Sequence, residues 1–222
     1  MKRALVLFSG GQDSTTCLYW AKTQFAQLHA IGFDYGQRHV VELEQARKIA
    51  AMANVPLTII DTKGLLGDSA LTQPAADVEG AHPRDPSLPA TFVPGRNLLF
   101  LSIAASFAYS HGISDMVTGV CQTDFSGYPD CRRVFIESLE TTVSLALARD
   151  FRIHTPLMYL DKADTFKLAD DLGVLELILE ETHTDYHGDR STRQEWGYGR
   201  LDNAASRLRA AGWQEFKRRY RS

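Results

Sequence analysis

Cysteine is scarce in this chain of 222 residues: Cys17, Cys121 and Cys131 are odd in number and widely spaced. That excludes a disulfide framework and a clustered thiolate metal site, and Cys17, on the apolar face of a predicted helix, reads as core. No apolar run approaches the ~18 residues of a membrane-spanning helix, and Met1-Lys2-Arg3 leads into a strand with no signal-like segment. The expectation is a cytoplasmic protein with no membrane partner. Charge of one sign is not in excess either: Lys and Arg total 24 against 27 Asp and Glu, a net charge of -3. Broad electrostatic binding to nucleic acid is therefore not expected, and Lys217-Arg218-Arg219-Tyr220-Arg221 reads as a solvated helix end. Internal repeats, low-complexity tracts, a Walker pattern with its lysine and a Gly-x-Gly-x-x-Gly fingerprint are all missing. What remains, 44% hydrophobic and 23% charged, is enough for one sizeable core. The expectation is one domain over 1–222, with a nucleotide-binding core at 1–165 and a helical tail at 166–222.

The densest chemistry lies near the start, in Phe8-Ser9-Gly10-Gly11-Gln12-Asp13-Ser14-Thr15. An apolar run, Ala4 to Phe8, precedes it and a segment with helical spacing, Thr16 to Lys22, follows, which predicts a strand–turn–helix junction. Two glycines permit positive φ and leave room for a bulky anion, while the new helix offers unpaired N–H groups and the positive end of its dipole. Ser9, Ser14 and Thr15 add hydroxyl donors, and Asp13 suits a magnesium ion or a helix cap. A glycine turn with an ordinary cap accounts for the same residues.

Further along, His29 to Asp34 and Leu57 to Ile60 read as strands around a helix at Val41 to Ala53. Strands alternating with helices predict a Rossmann-like, doubly wound parallel sheet with right-handed crossovers, whose ligands sit beyond the carboxyl ends of the strands. Lys63 to Ala90, with four prolines and no periodicity, reads as a loop or lid. Pro94-Gly95-Arg96-Asn97 opens an apolar helix, Leu98 to Tyr109, with Arg96 as a candidate bidentate phosphate ligand at its N-terminus. Asp115 to Val120 is a further strand, followed by a polar, aromatic loop from Gln122 to Arg132, then helix to Ala148, strand at Phe151 to His154, and a helix starting at Asp161. Lys162 sits in the first turn of that helix, where the dipole disfavours a cation, so an anionic partner is expected.

Ser-Gly-Gly-x-Asp-Ser after the first strand resembles the pyrophosphate-binding loop of the PP-loop ATP pyrophosphatases. Together with Phe33-Asp34-Tyr35-Gly36-Gln37-Arg38-His39, Phe92 to Asn97, Gly119-Val120, Asp124 to Arg132 and Lys162-Ala163-Asp164, the chain resembles the 7-cyano-7-deazaguanine synthase family over nearly its whole length. The resemblance implies an ATP-dependent carbon–nitrogen ligase of the queuosine pathway. Such an enzyme turns 7-carboxy-7-deazaguanine and ammonia into the nitrile by way of an amide and adenylated intermediates, and the family's habit suggests a homodimer. It implies that Ser9, Gly10, Gly11, Asp13, Ser14 and Thr15 cradle the pyrophosphate with Asp13 near magnesium. Arg96 and Lys162 would neutralise phosphates, Phe33 and Tyr35 would lie beside the adenosine, and Asp124, Ser126, Tyr128 and Asp130 would face the deazaguanine. A paralogue passing deazaguanine to another amine, of a protein or nucleic acid, or a silent nucleotide-binding module, are the alternatives.

The tail departs from the family. Members carry four zinc cysteines where this chain has Asp185, Arg200, Asn203 and Ser206. Zinc is expected to be absent, with His183, His187 and Asp185 the fallback donors. Leu201 and Ala204 replace helix breakers, which predicts a helix over Leu201 to Ala211 with Leu201, Ala204, Ala205 and Leu208 on one face, and Asp185 paired with Arg200.

Overall fold

The computed structural model describes residues 2–36, 41–66, 81–82, 84–123, 127–184 and 190–221. Along the chain the elements are β1 (Arg3–Leu7), α1 (Gln12–Gln24), β2 (Gln27–Asp34), α2 (Val41–Met52), β3 (Leu57–Asp61), β4 (Ala81–His82), β5 (Asp85–Pro89) and α3 (Arg96–Ser110). They continue with β6 (Asp115–Val117), α4 (Arg133–Ala146), β7 (Arg152–His154), α5 (Lys162–Asp171), α6 (Leu175–Glu181), β8 (Arg193–Gln194), β9 (Gly197–Tyr198) and α7 (Ala204–Tyr220).

The main sheet has the order β3-β2-β1-β6-β7, every pair parallel. The chain moves outward through β1, β2 and β3, then returns to lay β6 on the other side of β1, so Val6 is opposite Ala30 on one flank and Val117 on the other. A switch in direction of this kind leaves a crevice at the strands' carboxyl ends. Both faces of β1 are covered, hence the unbroken apolar run from Ala4 to Leu7. Leu5 points into a core with Phe100 and Leu101 of α3 and Ile136 and Leu139 of α4; Ala4 and Val6 point into one with Leu18 of α1 and Ile49 of α2. A third cluster joins Phe166 of α5, Ile178 of α6 and Phe216 of α7.

Three expectations are corrected. β6 stops at Val117, because beyond it the chain turns across the crevice. Within the predicted loop or lid, of which 67–80 and Pro83 lie outside the described residues, Asp85–Pro89 pairs antiparallel with β4 despite Pro86 and Pro89. A two-stranded ribbon leaves one edge free, where a missing N–H is harmless. α7 starts at Ala204 and not Leu201: the Asn203 side chain accepts the Ser206 N–H at 3.0 Å and caps the helix, and Leu201 is left exposed in the preceding turn. Its buried face is Asn203, Ser206, Arg209, Gly212 and Phe216. The basic end of α7 is exposed, as expected of a solvated helix end, and its charges are paired. Arg218 and Arg219 bond Glu215, Arg219 also reaches Asp161 and Asp164, and Arg221 reaches Asp170, fastening α7 to α5.

Candidate functional site

β1 runs into Phe8 and Ser9, and α1 begins with Gly11 as its N-cap, no side chain capping it. Gly10 takes φ +83°, and a Cβ there would lie 2.7 Å from the backbone nitrogen of Ala46, so this glycine brings the loop against α2. Within the loop, Ser9 Oγ lies 3.1 Å from Ser14 Oγ, the Ser9 N–H donates to Ser14 Oγ, and Ser14 Oγ donates to the Gly11 carbonyl. The loop is thereby pre-shaped before any ligand arrives.

Asp13 Oδ2 accepts from Lys162 Nζ at 2.7 Å, joining residues far apart in sequence across the β1–β6 crevice. Lys162 is the first residue of α5, held by a capping box between Asp161 and Asp164. The anionic partner expected for Lys162 is thus supplied first by the protein. Asp13 Oδ1 is buried and has no hydrogen-bond partner among the described residues, nor does the Nε2 of Gln12 beside it. Buried polar atoms left unmet cost about 1–3 kcal/mol, and at the mouth of a cavity they mark where a ligand completes the bonding.

That cavity has a volume of about 800 Å³. Its phosphate-loop end is lined by Ser9, Gly11, Gln12, Asp13, Ser14 and Lys162, and by His183, Thr184, Ala204 and Leu208 from the tail. Its other end is lined by Phe33, Tyr35, Glu42, Arg96, Phe100 and Tyr128. Phe33 stacks on Phe100 with ring centroids 4.1 Å apart, closing the floor beside β2. Arg96 lies over the Tyr128 ring at 5.8 Å, and the Tyr128 hydroxyl is 2.7 Å from Thr91 Oγ1. Arg96 is itself the first residue of α3, its entry set by Gly95 at φ +72°. Glu42, in the first turn of α2, is the one carboxylate at this end among the described residues. Desolvation raises its carboxyl to about 7, with the charge of Arg96 pulling the other way. A cation and a half-neutral carboxyl facing one cavity can hold an anion and move a proton at neutral pH.

Of the expected site residues, Ser9, Gly11, Asp13, Ser14, Phe33, Tyr35, Arg96, Tyr128 and Lys162 line this one cavity. Gly10, Thr15 and Asp130 do not. Gly10 faces α2, and Thr15 is fully buried beneath the loop. Asp130 Oδ2 accepts the Asn97 N–H at 3.0 Å, because the open N–H groups of α3 draw the nearest carboxylate. Asp124 and Ser126 lie outside the described residues, as do Asp185 and His187 with the proposed Asp185–Arg200 pair. Gln12, Glu42 and Thr184 were not singled out by sequence, and His183 was named only as a fallback metal donor. Gln12 is the variable position of its motif, and nothing local ties Glu42 or the 182–184 segment to the loop.

The positions where the family resemblance puts zinc thiols do not suit the metal. Arg200 is a cation, Asn203 is spent as a helix cap and Ser206 is buried in the first turn of α7. Among the described residues no three His, Cys, Asp or Glu side chains are grouped to hold a metal ion. No helix among them is long and apolar enough to cross a membrane. The Cys17 thiol is buried and its pKa is raised by that burial, as an inert core cysteine requires.

The family model described as Queuosine biosynthesis protein QueC matches residues 3–217. A 7-cyano-7-deazaguanine synthase of Rhodopseudomonas palustris is 51% identical over 230 residues, covering 97% of this chain and 95% of that protein. One of Wolinella succinogenes is 49% identical over 217 residues, covering 96% and 93%. Among solved structures, a predicted subunit of tRNA methyltransferase from Methanocaldococcus jannaschii superposes with a TM-score of 0.51 at 20% identity, covering 77% of this chain and 75% of that one. The U34-tRNA thiolase NcsA from Methanococcus maripaludis gives 0.50 at 16%, covering 97% and 65%. These two show a shared fold.

Proposed function

The chain belongs to the family of the queuosine biosynthesis protein QueC, and from that membership together with the site we propose that it is an ATP-dependent carbon–nitrogen ligase. It converts 7-carboxy-7-deazaguanine and ammonia into 7-cyano-7-deazaguanine. The observation that carries this reading is the Asp13–Lys162 pair at 2.7 Å, set where a helix N-terminus meets a cavity large enough for a nucleotide and a base together.

In this reading the loop of Ser9, Gly11, Asp13 and Ser14 binds the pyrophosphate, and Lys162 neutralises it as it leaves. Phe33 and Tyr35 lie beside the adenosine. Arg96 and Tyr128 receive the deazaguanine acid, with Asp124 and Ser126 as further contacts to it. The orphaned Asp13 Oδ1 would hold a magnesium ion, which supplies charge neutralisation at the phosphates. The carboxylate is adenylated with release of pyrophosphate, and ammonia displaces AMP to give the amide. A second adenylation, of the amide oxygen and again releasing pyrophosphate, lets AMP leave as the nitrogen gives up both its protons to form the nitrile. The protein's part is mainly positioning and charge stabilisation. Glu42, poised near neutrality, is suited to take the protons that ammonium and the amide give up. The chain works as one domain over 1–222, in the cytoplasm, as a homodimer and without zinc.

The test is direct. Purified protein with ATP, magnesium, ammonium and 7-carboxy-7-deazaguanine is followed by pyrophosphate release and by mass spectrometry of products. Nitrile accompanied by a pair of pyrophosphates supports the reading, and pyrophosphate without amide or nitrile refutes it.

A further inference from the structure

Arg209 is the largest side chain of the described residues with no solvent exposure. From the second turn of α7 its guanidinium donates four hydrogen bonds. Nε reaches the Trp196 carbonyl at 2.9 Å, Nη1 reaches Thr182 Oγ1 at 2.9 Å and Thr184 Oγ1 at 2.7 Å, and Nη2 reaches the Ile178 carbonyl at 2.8 Å. One side chain thus joins α7 to the end of α6, to the 182–184 strap and to the turn between β8 and β9. The hairpin closes over it only because residue 197 is glycine: a Cβ there would lie 2.7 Å from Nη2, at φ +118°.

None of those four acceptors carries a charge. Burying a guanidinium among neutral groups is expensive, and the usual remedy is a hydrogen-bonded carboxylate. Here burial pushes the group down to about 9, and Arg190 and Arg193 push the same way. It stays cationic at neutral pH. The carboxylate that favours its charge is Asp13, on the phosphate loop, which is already bonded to Lys162. Between them runs the strap: His183 and Thr184 line the cavity, and the His183 carbonyl is 3.5 Å from where a Cβ of Gly11 would be.

We propose that Arg209 is a positioning residue, which bolts the 182–184 strap against the phosphate loop and lends its uncompensated charge to anion binding there. It joins the segments in which relatives would place thiols around a metal, Asp185 following the strap and Ser206 lying one turn before Arg209. In this chain a hydrogen-bonded cation holds them together. The inference rests on the proposed function for its kinetic readout only, since pyrophosphate binding measures it independently.

The experiment compares wild type, Arg209→Met and Arg209→Lys as full-length proteins. Inorganic pyrophosphate binding is measured by calorimetry, KM for ATP and kcat by pyrophosphate release, and Tm by thermal scan. Removing the charge lowers pyrophosphate affinity and raises KM for ATP about tenfold. Arg209→Lys keeps the charge but loses the fork, so it lowers Tm while restoring pyrophosphate affinity to within a few-fold. Equal loss of Tm in both variants with unchanged pyrophosphate affinity would overturn the proposal. If Arg209→Met does not fold, the lysine variant decides: lowered Tm with retained affinity supports the proposal, and a tenfold loss of affinity sinks it. Metal analysis of the wild type must find no stoichiometric zinc; one zinc per chain would also overturn it. Wild type that binds pyrophosphate but forms no nitrile counts against the ligase reading and leaves the role of Arg209 to the binding data.

Discussion

Replacing Gly212 by alanine sets one methyl group into the tightest helix crossing of the tail. A Cβ on Gly212 would lie 2.3 Å from Lys162 Cβ, 3.2 Å from its carbonyl carbon and 3.3 Å from its Cα. Carbon atoms settle at about 3.5–4.0 Å, so α5 and α7 must part by about 1–1.5 Å at this point. Backbone gives less readily than a side-chain tip, and Arg219 and Tyr220 tie the far end of the crossing to Asp164. The displacement therefore falls on Lys162, whose Nζ must hold Asp13 at 2.7 Å. Overpacking costs about 1–3 kcal/mol, and alanine returns about 1 kcal/mol as the better helix former. The net loss, about 0–2 kcal/mol, lowers Tm by no more than about 8 °C in a protein of this size. Activity suffers more: an ångström of misplacement of the charge that neutralises leaving pyrophosphate lowers kcat/KM by about 10²-fold. Pyrophosphate release with saturating 7-carboxy-7-deazaguanine, alongside a thermal scan, measures both. A Gly212→Ala protein with wild-type kcat/KM would refute the claim that α7 positions Lys162.

Asp13→Ala is expected to abolish pyrophosphate release while moving Tm by less than about 4 °C. The lost ion pair is offset by removal of an unmet buried oxygen, and Lys162 keeps access to water through the cavity. Measurable turnover in that variant would show that the reacting phosphate lies elsewhere. Glu42→Gln tests the raised carboxyl. Its folded-state pKa of about 7 lies above the ordinary 4.5, so folding disfavours the ionised form, and wild type loses stability as pH rises from about 4.5 to about 7. Urea titrations should give the glutamine variant an advantage of about 3 kcal/mol near pH 8 and none near pH 4. Parallel stability curves for the two proteins would remove Glu42 from the list of perturbed groups. The same variant should flatten the acidic limb of the pH–rate profile for nitrile formation, and an unchanged limb would take proton transfer away from Glu42.

Local sequence wrote the alternation of strands and helices, and with it the parallel sheet, because a glycine-bounded apolar run and a 3.6-residue period are properties of neighbours. The loop Ser9 to Ser14 was legible for the same reason: its anion-binding capacity comes from two glycines and a helix start within a few residues. Capping chemistry was less visible. Asn203 accepts the Ser206 N–H as the cap of α7 and moves its start past Leu201. Asp130, expected to face the base, accepts the Asn97 N–H at the open N-terminus of α3.

What only the tertiary structure decided is which charges share a site. Lys162 follows Asp13 by 149 residues, and they meet because the sheet's order, β3-β2-β1-β6-β7, opens a crevice between β1 and β6 where α5 enters. Glu42 is an ordinary first-turn helix acid until α2 presses it toward Arg96 in a poorly solvated cavity. Arg209 reads in sequence as one more cation of a basic helix, and only the folding of α6, the strap and the hairpin around it strips its water and meets its guanidinium with neutral acceptors. Periodicity and turn chemistry act over a few residues and are written in order along the chain. Electrostatics depends on distance and desolvation, which exist only once the chain has folded.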